Sequence, residues 1–130
     1  MAEHPNVELL RKGYAAFGAG DMQTVDALLS DDIVWHSPGN NPLAGDYKGK
    51  DQVFGLFAKL LELTEGTFRQ EIHDLLANDE HAVALVDEAW DKPKPFRGRS
   101  VHMWHVRDGK PAEFWLFNED QAAADASFTA

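Results

Sequence analysis

The chain has 130 residues, 44% of them apolar, with no cysteine and a net charge of −10. That size and apolar content suit one domain around one core. The acidity argues against nucleic acid, where lysine and arginine must neutralise phosphates, and against anionic membrane surfaces; the lack of cysteine removes disulfide frameworks and thiolate nucleophiles.

The amino-terminal MAEHPNVELL is acidic and has no long apolar run of the signal-peptide kind. No stretch nears the ~20 apolar residues of a membrane span, so a cytoplasmic location is expected. Asn6 to Gly18 reads as a helix, with Val7, Leu10, Tyr14 and Phe17 on one face. Asp21 is a good N-cap for a short second helix carrying Met22, Val25, Leu28 and Leu29. Ile33-Val34-Trp35 is a short strand by composition, and the proline- and glycine-rich SPGNNPLAGDYKG, residues 37–49, reads as a long loop. Asp51 to Thr64 is a third helix, with Val53, Leu56, Phe57, Leu60 and Leu61 turned inward. Strands then follow over Thr67 to Leu76, His81 to Trp90, Phe96 to Arg107 and Lys110 to Phe117, and a short helix begins after Asn118. Three helices followed by an antiparallel meander is an α+β layout, with helices packed on one face of a curved sheet.

Asp108-Gly109 is the strongest hairpin signal in the chain. A two-residue turn pairs Arg107 with Lys110, Trp104 with Glu113 and His102 with Trp115. Side chains alternate along strands, so this register gathers His102, Trp104, Val106, Glu113, Trp115 and Phe117 on one face. Met103, His105, Ala112, Phe114 and Leu116 take the other. A three-residue loop with a bulge would instead slip one strand by a residue and swap its faces. The first set has the composition of a ligand wall: aromatic bulk with an imidazole and a carboxylate set into it.

Helix, GAGD, second helix, DDIVWHSPG, the PLAGDYKG loop, third helix and a meander ending in VRDGK together resemble the nuclear transport factor 2-like superfamily. Within it the sequence is most similar to the SnoaL-like, ketosteroid-isomerase-related group. The resemblance implies a cone-shaped, cystatin-like barrel, in which a bent antiparallel sheet wraps three amino-terminal helices around a deep cavity, often in a dimer. Members include isomerases, polyketide cyclases, dehydratases, epoxide hydrolases and binders without activity. The isomerase machinery of an aspartate base with an oxyanion hole of tyrosine and protonated aspartate maps onto Ser37, Gly13 and Trp104. All three groups are missing, which excludes ketosteroid isomerisation by that route.

His102, beside Glu113, is the first candidate for a general acid or base near neutral pH; the alternative is a half-buried histidine satisfied by a backbone carbonyl or by Glu113. Asp87 and Glu88 must point to opposite faces, and alignment with the family favours Asp87 in the cavity, its alternative being an ion pair with Arg97 or Arg99. Trp35 shares the parity of Ser37 and is expected inward. His36 then points away and braces the loop unless the proline turn rotates it to a ligand. Tyr14 offers a phenol, or is ordinary helix packing. Trp104, Trp115 and Phe117 complete the expected ligand-binding wall. No histidine pair has chelating spacing, and no phosphate loop or Gly-x-Gly fingerprint follows a strand, so neither a metal nor a nicotinamide, flavin or nucleotide cofactor is expected.

Three functions compete. The first is a cofactor-independent acid–base enzyme on an apolar, ring-sized molecule, of isomerase, cyclase, dehydratase or hydrolase type. It requires a cavity on the order of several hundred Å³ and Glu113 or Asp87 facing inward. The second is a binding protein whose cavity groups satisfy one another. The third is a scaffold, filled inside, whose outer sheet face with Met103, Phe114 and Leu116 forms a homodimer or binds another partner.

Overall fold

A computed structural model describes residues 3–129. Helix α1 (Pro5–Gly18) starts with Pro5 in its first turn and with His4 Nδ1 accepting the Asn6 N–H. Helix α2 (Met22–Leu28) is capped by Asp21, whose carboxylate accepts the Thr24 N–H, the expected N-cap chemistry. Next come β1 (Val34–Ser37), β2 (Gly45–Lys48) and α3 (Lys50–Leu63). The meander is β3 (Arg69–Ala77), β4 (His81–Trp90), β5 (Phe96–Arg107) and β6 (Lys110–Asn118), and α4 (Gln121–Ser127) closes the chain.

The six strands form one sheet in the order β2-β1-β6-β5-β4-β3. Two features differ from the expected layout. Residues 37–49 are not all loop, because β2 folds back antiparallel onto β1. The sheet is not wholly antiparallel either, since β1 runs parallel to β6. The core is a single cluster in which Leu10, Val25, Leu29, Val53 and Phe57 of the helical layer meet Trp104, Val106 and Phe114 of the sheet. Small residues make the room: Ala82 and Ala84 of β4 lie opposite Trp104 and His102 of β5, so bulky rings on one strand face methyl groups on the next.

The Asp108-Gly109 turn forms as expected, with both residues at positive φ (53° and 74°), the conformation of a type I′ hairpin. The register holds only to Val106, which pairs with Pro111; His105 then pairs with Glu113, so Ala112 is an extra residue in β6. Pro111 has no N–H to give to the ladder, and proline inside a sheet sits at such bulges. Beyond the bulge every β6 side chain changes face. Phe114 and Leu116 turn in beside Trp104 and His102, while Glu113, Trp115 and Phe117 turn out.

Helix α4 is latched over the end of the sheet. Asp125 accepts hydrogen bonds from the Asn40 N–H, Asn41 Nδ2 and Gln121 Nε2, and Trp90 Nε1 donates to Ser127 Oγ at 3.1 Å. Gly39, at φ 96°, lies so close to Gln121 and Asp125 that a Cβ there would collide with both side chains.

Candidate active site

Between the helices and the inner sheet face lies a cavity of about 150 Å³. It is smaller than the several hundred Å³ expected, because rings fill the space. Trp35 stacks on Phe114 with centroids 3.7 Å apart, and Trp104 meets the edges of both. Tyr14, Trp35, His102 and Trp104 all line this cavity, as do Gly13 and Ser37, the positions where the isomerase groups are missing.

A continuous polar chain runs along the wall. Trp104 Nε1 donates to the Tyr14 hydroxyl at 3.0 Å, and that hydroxyl lies 2.6 Å from His102 Nδ1. His102 Nε2 lies 2.8 Å from Glu88 Oε1, which also accepts from Ser100 Oγ at 2.9 Å. One set of protons satisfies every contact. The Tyr14 hydroxyl, already an acceptor for the indole, donates to Nδ1, which makes Nε2 the N–H that donates to the carboxylate. The tautomer of His102 is thus assigned by its neighbours. His102 and Glu88 are 5% and 7% exposed, and polar groups this buried persist only when hydrogen-bonded. Burial first, and the nearby Glu88 charge after it, push the Tyr14 phenol upward against the Trp104 hydrogen bond, so Tyr14 stays a protonated donor.

Glu88 Oε2 has no hydrogen-bond partner among the described residues, and no buried side-chain polar atom lacks one. Glu88 itself lines the cavity. Among the described residues no lysine or arginine lines the same space.

Several expected site residues lie elsewhere. Asp87 is exposed, paired across the sheet with Arg99, and Glu88 takes the inward place, because β4 keeps the parity of Ala84, Val86 and Trp90. Glu113 is carried outward by the Ala112 bulge, away from His102. There its Oε2 lies 2.6 Å from His36 Nε2, whose Nδ1 lies 2.7 Å from Asp46. His36 points away from the cavity and braces β2 against β1 and β6, so the ligand-contact alternative for it is not realised. Burial lowers the His36 pKa, but its hydrogen bonds to Glu113 and Asp46 outweigh that and raise it. Trp115 stacks on His36 outside, with centroids 5.3 Å apart, and Phe117 is 52% exposed; neither lines the cavity. Phe114 and Leu116, assigned to the sheet back, line it instead. With both expected acids outside and the cavity smaller than required, the acid–base reading fails as the sequence framed it; the acid that lines the cavity is Glu88. Among the described residues no group of three histidine or acidic side chains is arranged to hold a metal ion, and no helix is long and apolar enough to cross a membrane.

A curved sheet closed over helices around one internal cavity defines the nuclear transport factor 2-like, cystatin-like class of fold. The family model of the SnoaL-like domain matches residues 10–114, and the chain belongs to that family. It is 28% identical over 128 residues to an uncharacterized protein of Mycobacterium tuberculosis (strain ATCC 25618 / H37Rv), covering 97% of this chain and 98% of that one. Among solved structures it resembles Bal32a, from a soil-derived mobile gene cassette, with a TM-score of 0.91, 28% identity, and 96% of this chain and 97% of that one covered. A protein of unknown function with a cystatin-like fold from Xanthomonas campestris matches with a TM-score of 0.86, 26% identity, and coverage of 95% and 98%.

Proposed function

We propose that this chain is a proton-transfer enzyme for a small, neutral, ring-sized molecule, working without a cofactor. The supporting observation is Glu88, a buried carboxylate lining an apolar cavity, whose Oε1 is held by His102 and Ser100 while Oε2 makes no hydrogen bond among the described residues. Glu88 acts as the general base. A C–H bond next to a carbonyl breaks, the proton goes to Oε2, and the electron pair moves onto the carbonyl oxygen as an enolate. Returning the proton to a different atom completes an isomerisation; attack of the enolate carbon on a second carbonyl, whose oxygen takes the proton from Glu88 as its C=O π bond breaks, completes a cyclisation. His102 and Tyr14 do not touch the substrate in this scheme. They hold the carboxylate and keep its free lone pairs aimed inward, and the absence of a lining cation disfavours anionic substrates, whose charge would be buried unpaired.

The test uses acetophenone in deuterium oxide, with exchange of its methyl hydrogens followed by proton NMR. The wild type is expected to catalyse saturable exchange, and Glu88→Gln to lose about a hundredfold or more of it, the usual worth of a positioned base. Equal exchange by both proteins would refute the assignment. A second reading, a carrier without turnover, draws support from the way Trp104, Tyr14, His102 and Ser100 satisfy one another and Glu88 Oε1 in one chain. It predicts that both proteins bind acetophenone equally and neither exchanges it.

We further propose that two copies pair through the outer sheet face. Leu76, Val83, Met103 and Trp115 form a row across β3, β4, β5 and β6 there, with Phe117 beside it. Trp115→Glu is expected to shift the sedimentation coefficient from dimer to monomer; a wild type that sediments as a monomer ends this proposal.

A further inference from the structure

A second concavity, an open groove of about 830 Å³, lies between α1 and the edge strand β3. It shares four lining residues with the internal cavity: Tyr14, Phe17, Phe68 and Gln70. This quartet therefore forms the boundary between the two spaces. Phe17 and Phe68 pack edge to face there, with centroids 6.3 Å apart, and Gln70 is the one member with a carboxamide. Gln70 pairs directly with Glu88 across β3 and β4, inside the bulge that follows at His73, so both side chains stand on the inner face. Neighbours in such a pair have Cβ atoms about 5 Å apart. The Gln70 amide makes no side-chain hydrogen bond among the described residues, and it is not among buried atoms lacking a partner, so it is open to the cavity or the groove.

A polar group left free beside a free carboxylate oxygen, on an otherwise apolar wall, has the form of a recognition pair. We infer that Gln70 is a specificity-determining residue for a two-part ligand: a ring in the cavity, a neutral chain in the groove, and a carbonyl between them that accepts from the Gln70 amide. The inference rests on the cavity being a small-molecule site. The groove disfavours an anionic chain, because its arginines are already engaged, Arg11 with Glu3 and Glu8 and Arg69 with Asp91, and Glu71 and Asp74 also line it. Its apolar lining, Leu61, Ile72 and Leu75 with the two phenylalanines, suits methylenes. The carbonyl position also puts the neighbouring carbon beside Glu88, where the proposed proton transfer needs it.

Three probes separate the parts: acetophenone (ring and carbonyl), hexanophenone (ring, carbonyl and chain) and hexylbenzene (ring and chain). Their dissociation constants are measured by calorimetry on the wild type and two variants. Each methylene fully removed from water strengthens binding about fourfold. The added methylenes, half-covered by the groove, make hexanophenone bind about tenfold or more tighter than acetophenone. Ala15→Trp, which fills the groove from an exposed helix position outside the cavity, removes that advantage and leaves acetophenone unchanged. Gln70→Met, similar in volume but without the amide, weakens both ketones about fivefold and leaves hexylbenzene unchanged. If acetophenone binds but the chain adds nothing, or its gain survives Ala15→Trp, or Gln70→Met affects ketone and hydrocarbon alike, the inference is overturned and the cavity reading stands. If none of the probes binds the wild type, both fall.

Discussion

Replacing Tyr14 with phenylalanine removes one oxygen from the middle of the polar chain and almost no volume. Two buried groups lose their partner at once: the Trp104 indole N–H at 3.0 Å and His102 Nδ1 at 2.6 Å. Trp104 and His102 are each 5% exposed, so bulk water does not replace the hydroxyl. A buried polar group left unpaired costs about 1–3 kcal/mol. Part of that is offset because the phenol itself no longer has to be desolvated. The expected net loss is about 2–3 kcal/mol, or roughly 6–15 °C in Tm for a domain of this length. Differential scanning calorimetry measures it, with Tyr47→Phe as the control. The Tyr47 hydroxyl donates one 2.8 Å hydrogen bond to the Leu43 carbonyl in a half-buried segment, so its loss costs about 1 kcal/mol or less. If Tyr14→Phe melts no lower than the control, the chain of hydrogen bonds does not hold the site together and its assignment is wrong.

Two further predictions concern pH. Burial raises the Asp125 pKa, but hydrogen bonds from Asn41, Gln121 and the Asn40 N–H outweigh it and lower it below the ordinary carboxylate value. A depressed folded pKa stabilises the fold above the unfolded value of about 3.9 and ceases to do so as pH falls through the folded value. Urea unfolding between pH 6 and pH 3 (about that range) should therefore show a loss of stability at the acid end that Asp125→Asn reduces; an unchanged acid slope in the variant removes the latch from the account. His36 has the opposite sign. Its raised folded pKa stabilises the fold fully below the unfolded value of about 6.5, and that contribution is lost as pH rises through the folded value. His36→Gln should flatten the stability profile in that neutral window, and a histidine NMR titration should find His36 above the free imidazole value; a midpoint at or below it contradicts the pairing with Glu113 and Asp46.

The fold was legible because its signals are local. Apolar spacing marks α1 and α3, Asp21 caps α2, and Asp108-Gly109 makes the turn it promises. The site was only half legible, because its membership depends on parity, and parity is decided by single residues. Pro111 carried the missing signal for β6: a proline two residues past a tight turn marks a bulge, and the bulge exchanges Glu113, Trp115 and Phe117 for Phe114 and Leu116. The β4 segment HAVALVDEAW is apolar on both faces, so alternation alone does not choose between Asp87 and Glu88. The choice follows from a non-local fit, in which Ala82 and Ala84 face inward to accommodate Trp104 and His102. Trp90, two residues beyond Glu88 and on its face, was the one local clue. His102, Trp104, Trp35 and Tyr14 line the cavity, as their parity and helix face imply, because strands β1 and β5 and helix α1 contain no such slip.

In the proposed reaction the free oxygen of Glu88 meets the reacting atom of a ring-sized ligand. A crystal structure of the protein with bound acetophenone tests it most directly. The ring is expected between Trp35, Trp104 and Leu116, with the methyl carbon within about 3.5 Å of Glu88 Oε2, a reactive approach distance. Acetophenone held only in the outer groove or on the outer sheet face, with Glu88 Oε2 turned to another protein group, would contradict it.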